Sequence, residues 1–436
     1  MIKNKFIKGT IILIIGGFIT KVLGMIIKIV TTRYIGDDGI GLYMLIMPTF
    51  LLFLNICQLG FPVAISKLVA EEQKSSKKII FSSLFISFIL NAFLLIIVLL
   101  ISPVITKLLH EKRVLYPLMA IGFVLPFVSI SGIIRGYFFG KEKMIAHITS
   151  NIFEQVIRLL LIITITPILL KHSLEVAVTG LVLTNIISEL TSIIILIFFL
   201  PKKISIKKED IKPDKVIIKD VLDISVPTTS SRLIGSFGYF LEPIIITFIL
   251  LKVGYSNNFI VTEYGVITGY VMPLLMIPSF FTQAIASALI PVISKGYLRK
   301  HIIYVKNKIK QGELISLTIG IAITIVIMIW PSELLKIVFN TEMGSNYLRL
   351  MAPFYIVYYL QVPLIASLQA MNKAREAMMS TIIGVTTKIG LMVILSTFKI
   401  GMYGFIIAGI ANVFIVTIYN YIKVKRALTL AIKNKI

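Results

Sequence analysis

IIFSSLFISFILNAFLLIIVLLIS, residues 79–102, contains no charged side chain. A helix rises 1.5 Å per residue, so about twenty apolar residues cross the ~30 Å hydrocarbon core of a bilayer. Lipid offers no partner to backbone amides, so a run this long predicts a helix; it lacks the two-residue alternation of a membrane barrel strand. Residues 311–330 form a second run of this kind. Across the whole 436-residue chain, 57% of residues are hydrophobic and the mean hydropathy is +0.96. A soluble domain has too little interior to hide that much apolar surface. The fold class expected is an all-α integral membrane protein.

Working outward, apolar blocks predict spans near residues 9–32, 40–65, 79–102, 115–138, 148–170 and 174–200. A second set falls near 221–251, 262–293, 311–331, 347–371, 378–398 and 401–422, making about twelve helices. Lys3, Lys5 and Lys8 precede the first block like a signal sequence. That block is too long for one and shows no small-residue cleavage site, so it reads as an uncleaved first helix.

The net charge of +24 would suit a nucleic-acid partner, but its distribution follows membrane topology instead. Alternate loops, starting with the N-terminus, hold thirty lysines and arginines, among them Lys67, Lys74, Arg135, Lys141, Lys295, Arg299, Lys373 and Lys423. The opposite loops hold nine, among them Arg33, Lys112, Lys171, Lys252 and Lys399. The positive-inside rule therefore predicts both termini in the cytoplasm and an even number of spans. The longest basic loop, 201–219, reads as a solvated linker, with anionic-lipid binding as the alternative. The domains expected are lobes 1–200 and 221–436 joined by a basic cytoplasmic linker, 201–220.

The halves echo each other in order. Lys21-Val-Leu-Gly24 matches Arg232-Leu-Ile-Gly235, and Met47-Pro48 with Pro62-Val-Ala-Ile-Ser-Lys67 matches Met272-Pro273 with Pro291-Val-Ile-Ser-Lys295. Pro126-Phe127 parallels Pro353-Phe354, and Val156-Ile-Arg158 parallels Thr386-Thr-Lys388. This predicts two pseudo-symmetric six-helix lobes, repeated in parallel.

Five cations remain once the loop charges are counted: Lys21, Lys28, Arg158, Arg232 and Lys388. A charge at the bilayer centre costs at least ~2.5–3.5 kcal/mol, so it usually faces a cavity or a partner. Gly17, Lys21, Gly24 and Lys28 share one helical face, where glycine permits close approach of a helix or ligand. Among the carboxylates within spans, Glu154, Glu189 and Glu242, with Asp223 near a helix end, are candidates for ion coupling or charge pairing. Glu154 and Arg158 are four residues apart and suit a structural pair better than a ligand site. A cationic cavity fits an anionic substrate such as a pyrophosphate. The alternative is snorkelling, or pairing with Glu189 or Glu242. Pro48, Pro273 and Pro278, with Gly17, Gly24 and Gly235, are candidate hinge and packing positions.

Catalytic signatures are missing. The chain has no Gly-x-x-x-x-Gly-Lys-Ser/Thr phosphate loop, and its four histidines lack metal-ligand spacing, so neither a cofactor nor a metal is expected. Asp37-Asp38-Gly39 reads as a turn. Cys57 reads as a small packing residue. An enzyme is not expected.

Gly41-Leu-Tyr43, Pro62-Val-Ala-Ile-Ser-Lys-Leu-Val-Ala-Glu71, Arg135-Gly-Tyr-Phe-Phe-Gly140 and Arg232-Leu-Ile-Gly-Ser-Phe-Gly-Tyr-Phe-Leu-Glu-Pro243 resemble the stage V sporulation protein B family. Pro278-Ser-Phe-Phe-Thr-Gln283, Leu360-Gln361 and Lys373-Ala-Arg-Glu-Ala-Met378 extend the resemblance over nearly the whole chain. That family belongs with the polysaccharide exporters and lipid II flippases of the MOP superfamily, beside the MATE drug exporters. The resemblance implies a MATE-like MOP flippase fold, two lobes around a central cavity, and alternating access. It also implies a bacterial inner-membrane location and a polyprenyl-pyrophosphate-linked saccharide as substrate, for peptidoglycan, spore cortex or a related polysaccharide. Membrane lipids are its expected surroundings, envelope-synthesis enzymes are candidate partners, and nucleic acid is not one. Lys21 falls where the flippases carry a first-helix arginine. A second family arginine falls at Pro273 here, which leaves Arg232 to supply that charge. Members usually have fourteen helices, two more than expected here. The rival readings are a cation-coupled multidrug exporter and a non-transporting scaffold for envelope synthesis.

Overall fold

The computed structural model describes residues 2–200 and 208–433, with side chains for 15–200, 209–230 and 232–433. The expected topogenic residues Lys3, Lys5, Lys8 and Lys435, and linker residues 201–208 with Lys202, Lys203, Lys207 and Lys208, lie outside the described side chains. The described residues form helices and no strands. In chain order they are α1 (Ile2–Gln58), α2 (Phe61–Ala70), α3 (Ser76–Leu108), α4 (Leu115–Gly140), α5 (Met144–Leu170), α6 (Leu174–Phe198) and α7 (Lys208–Ile211). Then follow α8 (Lys215–Val253), α9 (Asn257–Gly265), α10 (Met272–Leu275), α11 (Ile277–Leu298), α12 (Ile302–Ile329), α13 (Pro331–Phe339), α14 (Ser345–Tyr355), α15 (Gln361–Ala370), α16 (Ala374–Ser396) and α17 (Tyr403–Lys433).

Among the described residues, ten helical runs are long and apolar enough to cross a membrane, and the bent pair α14–α15 makes an eleventh if it is one span. One of the ten, Ile15–Ala70, has 56 residues. At 1.5 Å per residue that is about 84 Å, nearly three hydrocarbon thicknesses. It is folded over at Gly36, whose φ of 67° and ψ of −170° leave the helical region. Such a conformation is accessible to glycine and strained for other residues. Ten or eleven such helices among the described residues make the chain a multi-pass membrane protein, against the twelve spans expected, and the kink at Gly36 divides the longest run. The kink immediately precedes Asp37-Asp38, where a turn was expected.

The quoted run shows why this chain needs lipid. α3 buries Ser82, Ser83, Ser87 and Asn91 and turns Phe88, Phe93, Ile96 and Leu100 outward, with Phe88 75% exposed. The Ser87 and Ser129 hydroxyls lie 2.7 Å apart, and Ser129 donates to the Cys57 carbonyl at 3.0 Å. Polar groups meet inside while large apolar side chains cover the outside, the reverse of a water-soluble helix. Cys57 is buried in this packing, as expected.

Two predicted spans are broken. The span expected at 262–293 has a π-helical turn at Val266–Val271 and a break at Met276 between α10 and α11. Pro273 and Pro278 each occupy the first turn of the helix they begin, where a missing N–H costs nothing. The span expected at 347–371 bends by 44° at the junction of α14 with the 3-10 turn Val357–Leu360 that leads into α15. Pro48 remains inside the second half of α1.

The chain divides into two compact units, Met1–Phe240 and Leu241–Ile436, with the division inside α8. In the first, Phe61, Ile65 and Val69 of α2 pack with Ile79 of α3, Ile133 of α4 and Val221 of α8. Gly60 sits between α1 and α2 at φ 61°, and a Cβ there would come 3.1 Å from the Ser225 carbonyl oxygen. In the second, Leu289 and Ile293 of α11 pack with Val305 of α12, Leu364 of α15 and Val424 of α17.

Candidate functional site

Two kinds of charged site lie within the spans. The first is an ion-pair knot joining α4, α5 and α6. Arg135 Nη2 donates to Glu154 Oε2 at 2.5 Å and to Ser192 Oγ at 2.8 Å, and lies 3.6 Å from Glu189 Oε2. Arg158 Nη2 donates to the other Glu154 oxygen at 2.7 Å, one turn along α5, and its Nε donates to Ser188 Oγ at 3.3 Å. Glu154 and Glu189 are each only 5% exposed. Two guanidinium groups against two carboxylates leave the group neutral, which is how charges persist in a low-dielectric interior. Glu154 is held on both oxygens. Glu189 is held less well, because its Oε2 accepts no hydrogen bond among the described residues.

The expected local pair of Glu154 and Arg158 is therefore present. Arg135 is a correction: it was counted among loop charges, yet it lies inside α4 and anchors the knot. Its neighbours Ser131 and Gly132 on α4, with Ser188, Glu189 and Ser192 on α6, form a small and polar strip in otherwise apolar helices. That strip was the available signal.

The second unit holds one such pair. Lys388 Nζ on α16 lies 2.6 Å from Glu242 Oε1 on α8 and 5.0 Å from the centre of the Phe405 ring. The ring face adds a cation–π attraction to the ion pair. Arg158 and Lys388, matched by the sequence repeat, are thus both neutralised by glutamates. The structure brings Glu154, Arg158 and Glu189 together, and Glu242 with Lys388.

The remaining cations sit differently. Lys21 and Lys28 lie on α1 and are half-buried, while Arg232 lies on α8 and is exposed. A Cβ built at Gly17 or Gly24 would meet no heavy atom within 4 Å, whereas one at Gly16 would come 2.4 Å from Ile148. α1 therefore packs onto α5 through Gly16, while among the described residues nothing lies within 4 Å of a Cβ at Gly17 or Gly24, which share a face with Lys21 and Lys28. Gly235 is half-buried on α8, one turn beyond Arg232. Ser236 accepts a 2.6 Å hydrogen bond from Asn55, which ties this part of α8 to α1.

Comparison with known proteins agrees with this arrangement. Residues 6–297 match the family described as polysaccharide biosynthesis protein, and residues 243–394 match the MatE family. Stage V sporulation protein B of Bacillus subtilis (strain 168) is 37% identical, over 100% of this chain and 86% of that protein. Lipid II flippase MurJ of the same organism is 24% identical, over 97% of this chain and 83% of that one. An inward-facing multidrug resistance MATE family transporter of the MOP superfamily shares the fold with a TM-score of 0.75 at 16% identity, covering 95% of this chain and 96% of its own. The chain belongs to the polysaccharide biosynthesis protein family, in the branch of stage V sporulation protein B, and has the MATE-like fold of the MOP superfamily.

Proposed function

We propose that the chain is a flippase that carries a polyprenyl-pyrophosphate-linked saccharide from the inner to the outer leaflet of the bacterial cell membrane. The cargo class is a peptidoglycan or spore-cortex precursor, or a related polysaccharide unit. The observation that carries this reading is the face of α1 that sets Lys21 and Lys28 beside Gly17 and Gly24, two glycines with open space next to them. Lysines inside a span cost several kcal/mol unless they meet a cavity or a partner, and open space along the same face fits an aqueous path. Anions are the species such a path concentrates.

In this reading Lys21 and Arg232 meet the pyrophosphate, and Arg232 supplies the bidentate geometry that phosphate oxygens favour. Lys28 lies two turns from Lys21, about 10 Å along the helix, and offers a second position to a moving anion. Arg158 and Lys388, held in their ion pairs, set the field behind this face. Gly17 and Gly24 keep the path wide, and Gly235 does the same beside Arg232. Lobes 1–200 and 221–436, joined by the basic linker 201–220, open to each side in turn, with Pro48, Pro273 and Pro278 near the bending points. The lipid tail stays in the bilayer while the polar head crosses. Both termini lie in the cytoplasm, as the loop charges require. Support for the cargo class comes from the family and from the lipid II flippase similar to this chain. A cation exporter would need a carboxylate available to its cargo; Glu154 and Glu242 are held by cations, and Glu189 lies 3.6 Å from Arg135.

The test is reconstitution in liposomes with a fluorescent polyprenyl-pyrophosphate-linked disaccharide, following its arrival in the outer leaflet. Protein-dependent movement is expected. Folded protein that moves no such lipid, or that moves cationic dyes instead, would refute the proposal.

A further inference from the structure

We propose that a pocket at the junction of α11 and α12 binds the phosphate-bearing headgroup of an anionic phospholipid. The pocket has a volume of about 470 Å³ and is lined by Lys295, Arg299, His301 and Tyr304, with Pro291 and Gly296 beneath. That volume lies within the roughly 300–1,000 Å³ typical of small-ligand sites. No carboxylate lines it.

The backbone fixes these side chains. α11 ends with Lys300 at φ 57°, and the amides of Arg299, Lys300 and His301 return to the carbonyls of Lys295, Tyr297 and Gly296 at 3.2, 3.0 and 2.9 Å. This left-handed cap uses up those N–H groups. A ligand would therefore be recognised by the side chains. Lys295 and Arg299, one turn apart, present two cations on the same edge of α11.

The corresponding place in the first half is built to the opposite rule. The repeat that matches Pro62–Lys67 with Pro291–Lys295 sets Glu71 and Glu72 against Arg299 and Lys300. In the first half Lys67 lies 3.9 Å from Glu71, and Lys74 is paired with Asp220. The pocket there sets three carboxylates, Glu71, Asp220 and Asp223, against two lysines, Lys67 and Lys74, and has no positive charge to spare. The second-half pocket has the same lysine and reversed neighbours. Its positive charge is thus not required by the helix junction, and it calls for an anion from outside.

The surroundings identify that anion as a lipid. Leu298 is 75% exposed and Ile303 is 72% exposed, on either side of the cationic cluster, and Tyr304 shows a half-exposed ring. Apolar side chains flanking a basic cluster, with a tyrosine at the border, match acyl chains, phosphate and interface in order. A soluble phosphate would have no use for Leu298 and Ile303.

The experiment measures lipid retained by the full-length protein in native mass spectrometry, using dioleoyl phosphatidylglycerol with dioleoyl phosphatidylcholine as the zwitterionic control. A basic residue near a membrane surface is worth about fivefold in affinity, so Lys295→Gln/Arg299→Gln should weaken phosphatidylglycerol binding about 25-fold. Lys67→Gln should leave it unchanged. If the double variant fails to fold, Arg299→Glu, which restores the first-half pattern, should give the same loss. Equal retention of phosphatidylglycerol by the folded variants, or equal retention of phosphatidylcholine by the wild type, would overturn the proposal. Displacement of the lipid by an equal concentration of glycerol 3-phosphate would overturn the lipid as the source of the phosphate.

Discussion

Replacing Arg135 by glutamine should unbalance the α4–α5–α6 knot. The wild-type group holds two guanidinium cations and two carboxylates; the variant holds one cation and two anions. Glu154 keeps its 2.7 Å bond to Arg158, but Glu189 loses the cation 3.6 Å away. Breaking a buried pair by removing one partner costs about 3–5 kcal/mol, and Glu154 keeps Arg158, so a loss near the lower figure is expected. Glu189→Gln removes only the more weakly held carboxylate, and a loss of about 1 kcal/mol is expected. The double variant Arg135→Gln/Glu189→Gln restores neutrality and leaves the Glu154–Arg158 pair intact. It should lose about 2 kcal/mol, less than Arg135→Gln alone, which gives a coupling of about 2 kcal/mol in the cycle. Equilibrium unfolding in bicelles would measure all four proteins. An Arg135→Gln protein within 1 kcal/mol of wild type, or a double variant that loses the sum of the singles, would refute the knot as drawn.

Lys388→Gln should destabilise the second unit by about 3 kcal/mol because Glu242 loses its 2.6 Å partner, while Lys388→Arg should stay closer to wild type; the same unfolding assay decides. Gly24→Ala should stabilise by about 0.5–1 kcal/mol as a helix substitution into open space, and Gly16→Ala should cost about 1–3 kcal/mol by driving into Ile148. Gly24→Leu should fold yet slow lipid transport in liposomes if that face is the path. Burial raises the Glu111 carboxyl, but hydrogen bonds from the Arg113 side chain and backbone outweigh it and hold the group below the ordinary glutamate range. A carboxyl depressed by folding contributes fully above its unfolded value and loses that contribution as pH falls through its folded one. Glu111→Gln should therefore cost about 1 kcal/mol at neutral pH, and the difference should begin to shrink as pH falls below the ordinary glutamate value of about 4.3 and vanish once pH is below the depressed folded one.

The spans were legible because hydropathy and length are properties of single segments. Residues 79–102 announce a helix without reference to any neighbour, and Glu154 and Arg158 announce a pair because one helical turn separates them. The break at Met276 lies between the hinge candidates Pro273 and Pro278 and was legible in part, whereas the bend near Ile356 was not, since an apolar window reads the same whether the helix continues or bends. Arg135 was misread for a related reason. It lies five residues before the end of α4, where a long side chain either snorkels to the interface or turns inward, and its partners Glu154 and Glu189 sit on other helices. Glu242 and Lys388 are 146 positions apart, so that pairing exists only in three dimensions. The open space beside Gly17 and Gly24 on α1 was half legible. The spacing of Gly17, Lys21, Gly24 and Lys28 defines the face, but whether a helix or empty space lies opposite depends on packing.

The most direct test of the cationic path compares three proteins in the liposome assay: wild type, Lys21→Gln/Arg232→Gln and the charge-preserving Lys21→Arg/Arg232→Lys. The account predicts outward movement of the pyrophosphate-linked saccharide by the wild type and the charge-preserving protein, and its loss in the neutral one at unchanged thermal stability. Full-rate transport by the neutral protein would contradict it.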